Sequence, residues 1–117
     1  MTNLNNYLNI NIITEKKHEY SDLQKILELE FDLEINILSE SRKNIINTNK
    51  TNLFIIDLKD PKYFESVVGD SECHYIGLSK KPLSYKGNIS NVRIIQMPFR
   101  LYDLILYIDN LKQLKIR

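Results

Sequence analysis

The sequence predicts a single α/β domain, spanning residues 1–117, built on a doubly wound, five-stranded parallel sheet. Three observations lead there. Short strand-like runs alternate with helical stretches along the whole chain, in the order β-α-β-α-β-α-β-α-β. The run NLFIID at 52–57 is almost continuously apolar up to its final acid, as a central strand buried on both faces would be. The 117 residues suffice for one core and contain neither an internal repeat nor a linker.

Each element follows from local pattern. Residues 8–14 (LNINIIT) alternate apolar and polar before doubling their isoleucines, which predicts a mostly buried first strand. Ser21 and Asp22 are good N-caps for a helix over 22–31, with Leu23, Ile26, Leu27 and either Glu30 or Phe31 at core spacing. Residues 34–38 (EINIL) read as the second strand, and the polar stretch 39–49 as one poor helix around Ile45 and Ile46. After the third strand at 52–57, Pro61 suits the first turn of a short helix that Gly69 stops. The fourth strand covers 74–78. Pro82, Gly87 and many polar residues leave the fourth helix, within 81–91, short or absent. The fifth strand covers 92–96, and Pro98 introduces the best helix of the chain at 101–114. Leu101, Leu104, Ile105, Ile108 and Leu111 form its core-facing stripe, with Tyr102 and Leu106 outside it.

In open parallel sheets the functional crevice lies beyond the carboxyl ends of the central strands. That rule selects Thr14, Glu15, Asp57, Ser79 and Met97 by position alone. A carboxylate such as Asp57 at that edge can bind a divalent cation or attack a phosphoryl group. Glu15 would share the cation if the first and third strands are neighbours, and two converging acids repel unless a cation or proton joins them. Ser79 can hydrogen-bond a phosphoryl oxygen.

These residues carry a family resemblance. The segment IIDLKDP, an apolar strand ending in Asp57 with Pro61 four residues on, resembles the phosphoacceptor motif of response-regulator receiver domains. The likeness spans the chain and implies the strand order 2-1-3-4-5. It implies Asp57 as phosphoacceptor and Ser79, in YIGLS, as the hydroxyl that contacts the phosphoryl group. It implies a magnesium site made by Glu15, Asp57 and the backbone carbonyl of Lys59. It also implies a cis peptide between Met97 and Pro98, in the MPF that stands where the family has Lys-Pro-Phe.

The departures point to an atypical, degenerate member. Met97 replaces the lysine that would pair with the phosphorylated aspartate, with Lys80 and Lys81 the nearby candidates to replace it. Thr14 replaces one acid of the pair after the first strand, so the implied magnesium binding is weak. Ile94 stands at the aromatic switch position. The resemblance therefore implies a signal-transduction module acting through protein contact, not an enzyme, with phosphorylation weak or absent. Its implied partners are a histidine kinase or phosphotransfer protein, and a second copy docked through Tyr102 and Leu106 of the last helix. The alternatives are a working phosphoacceptor in a histidine-kinase phosphorelay and a small flavodoxin-like ligand-binding domain. Missing phosphate-loop glycines count against the last.

Composition narrows the classes. With 43% hydrophobic and 26% charged residues the chain is globular, and a net charge of +1 gives no electrostatic footprint for nucleic acid. No apolar run approaches the roughly 18 residues that span a bilayer, and the start of the chain lacks the pattern of a secretory signal. The lone cysteine, Cys73, suits a reducing compartment and reads as a small buried hydrophobe. The expected location is the cytoplasm. His18 and His74 have no metal-ligand spacing and read as structural or exposed.

Overall fold

The computed structural model describes residues 8–39, 49–58, 73–80 and 92–116, with side chains of the last helix described as far as Leu111. Five strands, β1 (Leu8–Ile13), β2 (Asn36–Leu38), β3 (Thr51–Asp57), β4 (His74–Ser79) and β5 (Val92–Gln96), form one sheet in the order β2-β1-β3-β4-β5. Every neighbouring pair is parallel. Two helices are described, α1 (Ser21–Phe31) and α2 (Leu101–Ile116), and a 3-10 turn, Lys17–Tyr20, leads into α1. The helices expected after the second, third and fourth strands fall at 40–48, 59–72 and 81–91, outside the described residues, as does Pro61.

Alternation along the strands builds the core. Ile10 and Ile12 of β1, Leu53 and Ile55 of β3, and Ile76 and Leu78 of β4 meet Leu27 and Phe31 of α1. Leu104 and Ile108 of α2 join the same cluster, so α1 and α2 pack on one face of the sheet. Each fully buried leucine or isoleucine contributes on the order of 1.5–3 kcal/mol. The alternate positions are buried as well: Ile13, Phe54, Ile56 and Tyr75 are at most 3% exposed. Phe54 and Tyr75, register partners on β3 and β4, stack at 5.5 Å. β3 is thus enclosed on both sides, which is why its sequence does not alternate. At the amino end of the sheet the Asn9 carboxamide donates to Asn52 Oδ1 at 2.7 Å, across the β1–β3 register.

Three local expectations are corrected. β2 begins at Asn36, not at Glu34, because α1 captures the backbone of Ile35: its N–H donates to Glu28 Oε2 at 2.9 Å and its carbonyl accepts from Gln24 Nε2 at 2.5 Å. Ser21 does not cap α1. The 3-10 turn runs straight into the helix, and the Ser21 hydroxyl donates back to the His18 carbonyl at 3.0 Å. Ile26 is 42% exposed, since Gln24 and Glu28 share the inner side with Leu27 and Phe31. The helix ends at Asp32, whose φ of 53° is a left-handed conformation that aspartate tolerates, with its N–H on the Glu28 carbonyl. In α2 the predicted stripe holds: Leu104, Ile108 and Leu111 are buried.

Candidate functional site

β1 and β3 are neighbours, and their carboxyl ends bring Thr14 and Asp57 together. Thr14 follows β1 by one residue and continues its pairing, its N–H donating to the Leu38 carbonyl at 2.8 Å. Its hydroxyl accepts the Lys16 N–H at 3.0 Å, which leaves its own proton for Asp57 Oδ2, 3.1 Å away. The turn after β1 therefore fixes the direction of that hydrogen bond. Asp57 is half-buried.

A third residue lies near this pair, and no sequence pattern marks it. Tyr20, on the 3-10 turn before α1, is buried, with the Asp57 carboxylate near its hydroxyl. Burial first, then the nearby Asp57 charge, hold the Tyr20 phenol well above the usual tyrosine range. Tyr20 was missed because a tyrosine between polar residues and a helix start has no pattern of its own. Only the packing of the turn aims it.

The other predicted residues are placed as follows. Glu15, beside Thr14, is exposed. Ser79 ends β4 and is 2% exposed. It lies one residue past Leu78, the register partner of Asp57, in the alternate position of the pleat. Lys80 is exposed, while Lys59 and Lys81 lie outside the described residues. The peptide between Met97 and Pro98 is cis. The Met97 N–H donates to the Ser79 carbonyl at 2.6 Å, and its side chain packs against the core. Ile94 is half-buried on β5.

A magnesium ion takes oxygen ligands in a near-octahedral shell and keeps several waters. Among the described residues no group of three or more His, Cys, Asp or Glu converges. The Asp57 carboxylate accepts the Thr14 hydroxyl.

A second surface lies at β5 and α2. The Arg93 guanidinium sits 5.3 Å from the centroid of the Tyr107 ring, a cation–π distance. Burial raises the Tyr107 phenol and Arg93 opposes that rise. A groove here is lined by Ile95, Phe99, Leu106 and Tyr107, with Arg93 and Arg100 also in its wall. On the outer side of α2, Tyr102 is 67% and Leu106 42% exposed.

No family model, curated protein or solved structure matches the chain.

Proposed function

We propose that the chain is an atypical receiver-like signalling module that works by protein contact, with phosphoryl transfer to Asp57 weak or absent. The observation that carries this reading is the fate of the two replaced charges. Where the resemblance implies a lysine at the crevice, Met97 packs against the core. Where it implies an acid, the Thr14 hydroxyl donates to Asp57. Phosphorylation would turn the single negative charge of Asp57 into about 1.5–2, and Met97 carries no positive charge to balance it.

Protein contact is the remaining output. α2 exposes Tyr102 and Leu106 beyond the stripe that holds it to the sheet, which supports a second copy of the chain as partner through this helix. A histidine kinase or phosphotransfer protein is the other partner that this reading names, and the cytoplasm is its setting. Among the described residues no helix is long and apolar enough to cross a membrane.

Incubation with a small phosphodonor and magnesium, read by intact-protein mass spectrometry, tests the reading. Little or no adduct is expected. A stable, stoichiometric phosphoryl adduct on Asp57 would replace it with a working phosphoacceptor, for which Asp57 and Ser79 stand at adjoining strand ends.

A further inference from the structure

α1 has an outer side that the core does not use. Leu27 and Phe31 turn towards the sheet, while on the other side of the helix Leu29 is 85% and Ile26 42% exposed. The acids Asp22 and Glu30 are exposed along the same helix. α1 as a whole holds three acids, Asp22, Glu28 and Glu30, against one lysine, Lys25. The groove between β5 and α2 has the opposite sign. It is lined by Ile95 and Leu106 and carries the guanidinium groups of Arg93 and Arg100 against one carboxylate, Asp103. The Arg93 guanidinium is braced by the Tyr107 ring at 5.3 Å. With a volume of about 500 Å3 the groove can take several side chains.

The two surfaces lie on one face of the sheet, towards opposite edges. Ile95 and Tyr107 pack on the same core cluster as α1. α1 holds the lead into β2 through Gln24 and Glu28, the groove includes β5, and β2 and β5 are the two edge strands. When two such faces meet, a two-fold axis along the strand direction exchanges the edges, so that each copy sets its α1 over the groove of the other. An α2-to-α2 pairing would instead set two basic grooves together. Charge across an interface decides orientation and register more than affinity, and here it favours α1.

We propose that two copies of the chain pair reciprocally, the acidic and apolar outer side of α1 in each seated on the basic β5–α2 groove of the other. This rests on the self-association named above and says which surface of the second copy meets the last helix. Leu29 is the apolar anchor, and Asp22 and Glu30 answer Arg93 and Arg100.

Sedimentation velocity on the full chain at low salt tests the proposal. Leu29→Lys alters an exposed side chain and leaves the core untouched. Leu29→Lys and Arg93→Glu are each expected to weaken self-association at least about tenfold, the scale of losing one interface anchor. An equimolar mixture of the two variants is expected to recover dimer, because a mixed pair keeps one wild-type contact and sets Lys against Glu in the other. Should Arg93→Glu fail to fold, Arg100→Glu takes its place in the mixture. A Leu29→Lys chain that dimerises like wild type, or a mixture no more dimeric than its components, would overturn the proposal. A dimer lost with Leu106→Lys but kept with Leu29→Lys rejects the reciprocal arrangement alone and leaves self-association through the last helix. A monomeric wild type rejects both.

Discussion

Asn11 and His74 are the residues that the fold accommodates least comfortably. Asn11 lies in the middle of β1, between Asn36 and Phe54 in register, and is 1% exposed. Neither polar atom of its carboxamide has a hydrogen-bond partner among the described residues, whereas Asn9, two residues earlier, bonds Asn52. An unpaired buried amide costs about 1–3 kcal/mol. Asn11→Leu is close in volume and should raise stability by about 1–2 kcal/mol in denaturant titration. Lower stability would show that the carboxamide is satisfied in solution. His74 opens β4 with its Nδ1 enclosed and unpaired among the described residues, and burial lowers its pKa below the usual 6.5. Since the unfolded chain takes up this proton first, its contribution is present above about pH 6.5 and drains away as pH falls below it. His74→Leu should flatten the decline below about pH 6.5, measured as the urea midpoint against pH. An unchanged slope would assign the decline to other groups.

Between elements, the junction of α1 with β2 depends on side chains from the helix. Glu28 accepts the Ile35 N–H and Gln24 donates to its carbonyl, so one residue of the connection is held as a strand would hold it. Glu28→Ala leaves that N–H, on a residue 2% exposed, without its acceptor. The expected loss is about 1–3 kcal/mol by chemical denaturation. A loss below about 0.5 kcal/mol, the level of a surface change, would mean that water replaces the carboxylate. This junction also marks where the sequence stopped being legible. β3 and α2 were readable because burial on two sides and a 3–4 stripe leave marks in consecutive residues. The start of β2, the missing cap at Ser21 and the exposure of Ile26 were not, because each is decided by contacts between segments. The same division runs through the candidate site. Strand ends located Thr14, Asp57 and Ser79 by position, but Tyr20 comes from a turn whose aim depends on the packing of α1.

For the molecule as a whole, packing α1 and α2 on one face leaves the outer side of α2 to face a partner or solvent. If a second copy docks there, Leu106→Lys should shift sedimentation from dimer to monomer while the melting temperature changes little. Leu106 is 42% exposed, outside the buried stripe. A wild-type chain that sediments as a monomer at high concentration would remove self-association from the proposed function. The strand order 2-1-3-4-5 also gives the candidate site its exactness of alignment, and the numbering shows how. Asn9 and Asn52 are 43 residues apart, and so are Thr14 and Asp57. One offset therefore serves both ends of the β1–β3 seam, a clasp at the entry and the carboxylate contact at the exit. A single-codon deletion inside β1 or β3 would put the two ends out of phase. The chain would have to give up either the asparagine clasp or the threonine–aspartate bond, and no sideways adjustment of the strands would recover both.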